Sequence, residues 1–356
     1  MKTKAVPILI LTFIFVLFPL RTSAQQPDIP IPQIALDLSD GELSYENSSE
    51  IFSFSTIIQY VFSAFFDALG EKTAFISQLF ILLFALYLIN SFAESFCSEK
   101  IVSAMSFAVV AVSTVSVFST VFSSVDAVSE AFTQLSGFLS AMLPSFLTSL
   151  ASAGYSSVAS SGGGALFFSV EIISAVICGC LKPFSTAYIC IGAASGISDN
   201  FNLKTLSSFI RNFIITSMSL VLTLFGGIMA LQTTLSMTSD TLFKRTAKLA
   251  AGTFIPVFGG ALGEGLETAF ASAVVMKNGI GIFGTAVVFL TMLPSLCSLA
   301  ADLIVVSVSC GVCGFFGNEK ALAFFSVVRD CLAIVFTAAV ECCLVLLIGI
   351  SLLIKI

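Results

Sequence analysis

The amino-acid sequence predicts an all-α fold, a polytopic membrane helical bundle of about six to eight spans. Of the 356 residues, 57% are hydrophobic and only 10% are charged. Soluble domains carry about 25% charged residues, so a soluble protein could not cover its surface with so few charges. The apolar residues also fall in repeated runs of about 20, which is the length of one helical span. A Gly- and Pro-containing segment interrupts this pattern, and a cleaved N-terminal signal peptide is expected before it.

The N-terminal part of the chain is predicted to lie outside the bundle. Residues 1–24 have the features of a signal peptide, since two lysines precede an apolar run and small residues end at Ala24, where cleavage is expected. An uncleaved first anchor is the alternative. Residues 25–50 contain six acidic residues and no lysine or arginine, which predicts an extended, acidic extracytoplasmic arm. The polytopic membrane domain is therefore predicted to comprise residues 51–356.

Polar interruptions divide the membrane domain into elements. Residues 51–66 mix apolar residues with Ser, Gln and Tyr, which predicts an amphipathic or interfacial helix. A Ser/Gly loop is expected at 155–164, a bend at Pro144 and a break at Lys182-Pro183. The expected spans are 74–93, 101–122, 131–150, 165–197 (a span plus a shorter re-entrant piece), 207–231, 280–301, 303–316 and 321–354, the last with an interface crossing at Arg329-Asp330.

The charged residues orient these spans. With the mature N-terminus outside, alternation up to the span at 207–231 places Asp126 and Glu130 outside and the basic cluster at 244–248 inside. This placement agrees with the positive-inside rule, in which lysine and arginine concentrate in cytoplasmic loops. The sequence leaves the number of later crossings open.

The segment 244–284 differs most from the rest of the chain. It holds four Lys or Arg, two Glu, one Pro and eight Gly in otherwise apolar surroundings. A bilayer tolerates broken, polar backbone only where protein or a water-filled cavity covers it. The segment therefore predicts a helix interrupted at membrane depth, as an assembly contact or a pore lining. Its candidate functional residues are Lys248, Gly252, Phe254, Pro256, Gly259, Gly263, Glu264, Glu267, Lys277, Asn278, Gly281 and Gly284.

Two further acids, Glu171 and Glu341, lie within apolar runs. A charge in the membrane is costly and usually faces a bundle interior or an aqueous path. One hypothesis is a proton- or ion-coupled relay. The other, which we favour, is a protonated or paired carboxylate that holds helices together. Asp302 and the Arg329-Asp330 pair can be satisfied at a membrane interface and therefore carry less information.

The residue inventory argues against several kinds of chemistry. The chain has no His, so it lacks the usual near-neutral general base and imidazole metal ligand. The sequence GIGIFG at 279–284 opens a membrane span rather than a βαβ unit, so close helix approach explains its glycines better than dinucleotide binding. The ten Cys sit mostly in apolar runs, where Cys is a small hydrophobe. We expect no catalytic residue, no metal site, no cofactor and no nucleic-acid partner.

Two stretches of the unusual segment resemble a known family. They read KLAAGTFIPVFGGALGEGLET at 248–268 and KNGIGIFG at 277–284. Together with the signal peptide and the acidic arm, they are similar to the stage III sporulation protein AE family. Leu143-Pro144 fits the same pattern, whereas Gly265 departs from it, because a small residue such as Ala is expected there.

The resemblance implies a non-enzymatic, multi-pass membrane subunit of the channel or secretion complex between mother cell and forespore, needed for endospore development. It implies a place in the mother-cell membrane that surrounds the forespore. The implied partners, besides the lipid bilayer, are the other stage III sporulation A-operon proteins, which are membrane subunits, intermembrane ring proteins and a cytoplasmic ATPase, and the stage II sporulation protein Q complex. The alternative hypothesis is an independent ion-coupled secondary transporter of a small solute, with the broken segment as its midplane site.

Overall fold

A computed structural model describes residues 54–96, 99–197, 208–212, 215–216, 223, 227, 259–315 and 319–355. Every regular element in these ranges is an α-helix, so the all-α prediction is confirmed for this part of the chain. The helices with defined bounds are α1 Phe54–Glu71, α2 Thr73–Phe96, α3 Glu99–Ser152, α4 Ser156–Ile197, α5 Gly259–Phe315 and α6 Glu319–Lys355. The predicted signal peptide, the acidic arm and most of the expected span at 207–231 lie outside the described residues.

The four long helices, α3 to α6, form the centre of the bundle. Both α3 and α6 pack on α4 and on α5, so the main contacts close a ring in the order α3, α4, α6, α5. Helix α1 lies mainly on α5, and α2 lies mainly on α3. The largest fully buried side chains between these helices are Phe146, Tyr188, Phe289, Phe324 and Phe325. Because lipid is as apolar as these side chains, close van der Waals packing rather than transfer from water holds such a bundle together.

Fewer helices than expected have the length and composition of membrane spans. In the described ranges there are three, Ala111–Ser152, Asn278–Phe315 and Ala321–Ser351. A fourth is formed if Ile57–Glu71 and Thr73–Ala85, which meet at a bend of 52°, count as one broken span. The expectation of six to eight spans is not confirmed.

Helix α3 replaces two predicted spans with one continuous helix of 54 residues. Such a helix is about 80 Å long. Asp126 and Glu130, which were expected in an outside loop, are exposed on this helix instead. The chain does not break there because Val125, Val128 and Ala131 continue the buried stripe at helical spacing.

The turn from α3 to α4 is a tight helix cap, and the loop predicted at 155–164 is wrong. Gly154 has φ 84°, the left-handed conformation that favours glycine. Tyr155 N donates to Leu150 O at 3.1 Å, and Gly154 N donates to Ala151 O at 2.9 Å. These two bonds are those of a Schellman motif, which satisfies the last carbonyls of a helix. Helix α4 then begins at Ser156.

The glycines that suggested a loop are helix contact positions. A Cβ on Gly163 would lie 2.5 Å from Leu147 Cδ1 of α3, and a Cβ on Gly162 would lie 2.7 Å from Leu353 Cδ2 of α6. Real Cβ atoms are not found so close to other heavy atoms, so glycine permits the close approach of these helices. A Gly cluster therefore marks tight packing here rather than irregular backbone.

The remaining predicted breaks are also absent from the described ranges. Pro183 lies inside α4, and Pro294 lies inside α5, which joins the two spans expected at 280–301 and 303–316. Prolines in membrane helices are tolerated where neighbouring groups satisfy the freed backbone. The expected interruption near Pro256 falls outside the described residues, whereas the backbone from Gly259 onward is unbroken.

Candidate functional site

The bend between α1 and α2 places a lysine against the bundle. Lys72 is the single residue between the two helices. Its N donates to Ala68 O at 3.3 Å, and its O accepts from Ile76 N at 2.9 Å, so the backbone hydrogen bonds continue through the bend. The Lys72 side chain is only 12% exposed. A buried ammonium requires a partner, because removing an unpaired charge from water is strongly unfavourable.

That partner is Asp302 of α5, with Ser124 of α3 completing the cluster. Lys72 Nζ lies 3.1 Å from Asp302 Oδ2 and donates to Ser124 Oγ at 3.0 Å. Ser124 Oγ in turn donates to the same Oδ2. The Asp302 side chain is 1% exposed. The three side chains therefore join the α1–α2 bend to α3 and α5 through one buried carboxylate oxygen.

The second carboxylate oxygen of Asp302, Oδ1, differs from Oδ2 in its hydrogen bonding. Asp302 Oδ1 is buried and has no hydrogen-bond partner in the described part of the chain. A buried ion pair gains from mutual attraction but loses the hydration of both charges, so it contributes little net stability while it stays intact. Loss of one partner is different, since it leaves an uncompensated charge and costs about 3–5 kcal/mol. The cluster is thus sensitive to removal of either charge.

From the sequence, Asp302 carried less information than Glu171 and Glu341 because it can be satisfied at a membrane interface, whereas the structure buries it against Lys72. Asp302 is fully buried and paired with Lys72. It therefore fits the hypothesis of an acid that joins helices better than Glu171 or Glu341 does. The sequence carried the same signal for it as for Glu171 and Glu341, an acid within an apolar run. Lys72 and Ser124 were missed because only the fold brings them to Asp302.

The two acids singled out from the sequence lie in different surroundings. Glu341 is buried in α6, at 7% exposure. Glu171 is exposed on α4 and does not point into the bundle. A relay role for either acid stays a prediction.

A second, more exposed charged cluster surrounds Asp330. Its carboxylate lies 3.6 Å from Arg211 Nη1 and 3.5 Å from Arg329 Nη2. The three side chains are 27–43% exposed. Charges that remain partly in water interact weakly. Arg329 and Asp330 are thus paired and partly exposed, and the membrane-interface crossing expected at this position stays a prediction.

The candidate residues of the segment 244–284 are only partly described. Lys248, Gly252, Phe254 and Pro256 lie outside the described residues. Gly259, Gly263, Glu264, Glu267 and Lys277 form part of the α5 backbone, and nothing is described of their side chains. Asn278, Gly281 and Gly284 are buried or half-buried within the bundle.

Gly281 and Gly284 lie where α5 approaches its neighbours closely. A Cβ on Gly284 would lie 2.5 Å from Met142 Sδ of α3. A Cβ on Gly281 would overlap Ile354 of α6 and lie 3.4 Å from Phe146 Cε2. A side chain at either position would require the neighbouring side chain or helix to shift. The interpretation of these glycines as positions of close helix approach is confirmed.

The described residues offer no metal centre. Among them, no group of three or more His, Cys, Asp or Glu side chains could hold a metal ion. Six of the seven described free cysteines are buried, and only Cys190 is exposed.

Comparison with known proteins places the chain in a family. The family model described as stage III sporulation protein AE matches residues 38–356. The chain is 27% identical over 158 residues to the stage III sporulation protein AE of Bacillus subtilis (strain 168). That alignment spans 44% of this chain and 40% of the relative. No solved structure matches the chain. Since the family model covers nearly the whole chain, the chain belongs to the stage III sporulation protein AE family.

Proposed function

We propose that the chain is a non-enzymatic, multi-pass membrane subunit of the channel or secretion complex that connects mother cell and forespore during endospore development. The observation that carries this proposal is the family match over residues 38–356. The apolar helices long enough to cross a bilayer support the membrane placement. Family membership does not favour the alternative of an independent transporter.

The proposed partners follow from the sporulation family. They are the other stage III sporulation A-operon proteins, including the intermembrane ring proteins and the cytoplasmic ATPase, and the stage II sporulation protein Q complex. The subunit would lie in the mother-cell membrane around the forespore, with its mature N-terminus outside the cytoplasm. A bundle with closely packed helices suits a role as a fixed part of a larger assembly.

The ion pair at the bend supplies the residues for a first test of this role. Lys72 and Asp302 attach the α1–α2 unit to the bundle, so their loss would change the surface that the unit offers to neighbours. We expect Lys72→Met to reduce spore formation severely. Arg329→Met is the matched control, because Arg329 is 43% exposed and lies in the weaker cluster.

The decisive experiment deletes the gene in its own host and measures heat-resistant spores and vegetative growth. The proposal predicts loss of spores, normal vegetative growth, and recovery on expression of the wild-type chain. Affinity purification from sporulating cells should recover operon partners. Normal spore counts after deletion would refute the proposed function.

A further inference from the structure

Helix α1 exposes two stripes of opposite character, side by side. The apolar stripe is Ile58, Phe62 and Phe66, with exposed fractions of 38%, 58% and 62%. The rings of Phe62 and Phe66 stack, with centroids 6.2 Å apart. The polar stripe lies about 100° further round the helix and consists of the exposed residues Gln59, Ser63, Asp67 and Glu71. The remaining face of α1 packs into the bundle through Ala64 and Ala68.

Neither water nor hydrocarbon alone suits both stripes. Two stacked, exposed phenylalanines are unfavourable in water, because the removal of apolar surface from water is favourable. The exposed carboxylates of Asp67 and Glu71 are unfavourable in hydrocarbon, where a charge is costly. A helix at the membrane surface satisfies both, with its apolar stripe among the acyl chains and its polar stripe toward water. The two stripes therefore indicate that α1 lies along the surface of the bilayer.

Helix α2, by contrast, exposes a surface that suits hydrocarbon. Residues 73–93 contain no charged residue. Two of the exposed polar side chains have partners within the protein, since Ser77 Oγ donates to Ala74 O at 2.9 Å and Gln78 Nε2 donates to Ser116 Oγ at 2.7 Å. The exposed large apolar side chains of α2 are Ile76, Phe80, Ile81, Phe84, Tyr87 and Leu88. This surface indicates that α2 is surrounded by lipid.

Helix α3 continues this apolar surface beside α2. Lys72 contacts Ser124 and Gln78 contacts Ser116, so α2 runs antiparallel to α3. At the level of α2, the exposed large apolar side chains of α3 are Val112 and Val115. The sequence of α3 has no charged residue over this stretch, which extends from residue 101 to residue 125.

Helix α5 adds further apolar side chains at the same level. Asp302 pairs with Lys72, and Gly284 lies against Met142 of α3, so α5 is antiparallel to α3 and parallel to α2. Beyond Asp302, in the direction of α2, the exposed large apolar side chains of α5 are Ile304, Val308 and Phe315. Residues 303–315 contain no charged residue. The apolar surface therefore extends over three neighbouring helices.

Exposed phenylalanines also occur on α4, but at a different level. Gly163 lies against Leu147, so Phe168 is near the level of residue 142 of α3. That level is about 27 Å from Ser124, on the side away from α2. A bilayer placed around Phe167 and Phe168 would leave the exposed face of α2 in water. The experiment below distinguishes the two placements.

The bend between α1 and α2 fits a surface helix followed by a membrane helix. The two helices meet at 52°. With α1 in the plane of the membrane, α2 can be inclined by about 38° to the membrane normal, within the range of tilts seen for membrane helices. The 24 residues of α2 then rise about 28 Å, close to the hydrocarbon thickness of about 30 Å. The length of α2 therefore suits one crossing at this tilt.

We propose that α1 is a membrane-surface helix whose apolar stripe inserts between the acyl chains of the bilayer, and that α2 enters the bilayer from the bend at Lys72. Asp67 and Glu71 keep the polar stripe of α1 in water. Helix α1 contains no Lys or Arg, so anionic headgroups do not attract it, and its partner is the apolar part of the bilayer. This inference deepens the proposed function and rests on its membrane placement.

The chain has no Trp, so a single tryptophan reports the surroundings of one position. The main pair is Phe62→Trp and Ser63→Trp, which are neighbours on the apolar and the polar stripe. The full chain is purified and placed in phosphatidylcholine vesicles. Brominated phosphatidylcholine should quench Phe62→Trp severalfold more than Ser63→Trp, and water-soluble acrylamide should give the opposite order.

Lipids brominated at different acyl positions then measure depth. Ile58→Trp and Phe66→Trp should lie at the same depth as Phe62→Trp, because α1 follows the membrane surface. Phe84→Trp on α2 should lie about 14 Å deeper, since it is 12 residues beyond Lys72 on an inclined helix. All these positions are exposed, so the indole replaces a side chain without repacking of the core.

Three results would overturn the proposal. If each reagent quenches Phe62→Trp and Ser63→Trp equally, the two stripes do not separate lipid from water. If depth changes steadily by about 12 Å from Ile58→Trp to Phe66→Trp, α1 is part of a span. If acrylamide quenches Phe84→Trp as strongly as Ser63→Trp, α2 lies in water and the bilayer surrounds another part of the bundle. These fluorescence results are independent of sporulation, so they separate a failure of this inference from a failure of the proposed function.

The role of the two acids is tested in the Phe66→Trp chain. Asp67→Asn combined with Glu71→Gln removes both charges and keeps the side-chain shapes. The tryptophan should then move toward the bilayer centre, because the polar stripe is less costly to remove from water. Glu171→Gln, at an exposed position on α4, is the matched control and should leave the depth unchanged. An unchanged depth in the double variant would contradict the role of Asp67 and Glu71.

Discussion

Replacement of Lys72 by methionine tests the energetics of the buried cluster most directly. Methionine keeps an apolar stem of similar length but removes the ammonium. Asp302, with its side chain 1% exposed, then retains the hydroxyl of Ser124 as its one donor among the described residues. A buried charge left without its partner costs about 3–5 kcal/mol, so we expect a loss of that size in the free energy of unfolding.

The double variant Lys72→Met/Asp302→Leu distinguishes a charge effect from a packing effect. Replacement of a whole buried ion pair by apolar side chains is often neutral or stabilising. We therefore expect the double variant to be within about 2 kcal/mol of wild type, and more stable than Lys72→Met alone. Arg329→Met, in the half-exposed cluster, should cost less than about 1 kcal/mol.

The assay follows unfolding of the purified chain in mixed micelles with increasing SDS. A thiol-reactive dye serves as the probe, because six of the seven described cysteines are buried and become accessible to the dye on unfolding. If Lys72→Met is no less stable than Arg329→Met, or if the double variant is as unstable as Lys72→Met, the reasoning from a buried ion pair is refuted. If the double variant is stable, its spore counts show whether the charges of Lys72 and Asp302 are themselves needed for spore formation.

The same unfolding assay tests three further predictions. Gly281→Ala should destabilise the chain by about 1–3 kcal/mol because its Cβ overlaps Ile354, whereas Gly137→Ala, with open space around it, should be neutral or stabilising; equal effects would contradict the close-approach account. Gly154→Ala should cost about 1–2 kcal/mol, since its φ of 84° suits glycine, and wild-type stability would argue against the cap at this turn. Phe146→Ala should cost about 3–5 kcal/mol, because this side chain is fully buried, and a loss below about 1 kcal/mol would contradict its place in the core.

The sequence predicted the class of fold but not where its helices end. Apolar composition and run length were sufficient to predict an all-α membrane bundle, because both depend on local residue counts. Proline, glycine and isolated acids were interpreted as breaks, yet α3 continues past Asp126 and α4 continues past Pro183. A helix packed on several neighbours tolerates such residues if they stay on its exposed face. The sequence alone does not contain that information.

The sequence predicted the role of some site residues but not of others, because it does not show tertiary contacts. Gly281 and Gly284 could be assigned to close helix contact, because small residues at that spacing have a known packing role. Asp302 was underestimated, since its partner Lys72 is 230 positions away in the sequence. Pairing of charges over such a separation depends on tertiary structure. Local patterns identify candidates for a buried charge, and only the fold selects the one that is paired.

The glycine contacts have a mechanical consequence for the bundle. Where Gly163, Gly281 and Gly284 meet Leu147, Ile354 and Met142, the neighbouring side chains occupy the space that a Cβ would fill. Sliding one helix along its neighbour would drive a side chain into the space of another residue. We therefore expect α3 to α6 to move as a rigid body. The α1–α2 unit is attached to the bundle through Lys72, and we expect any conformational change to move this unit relative to the other helices.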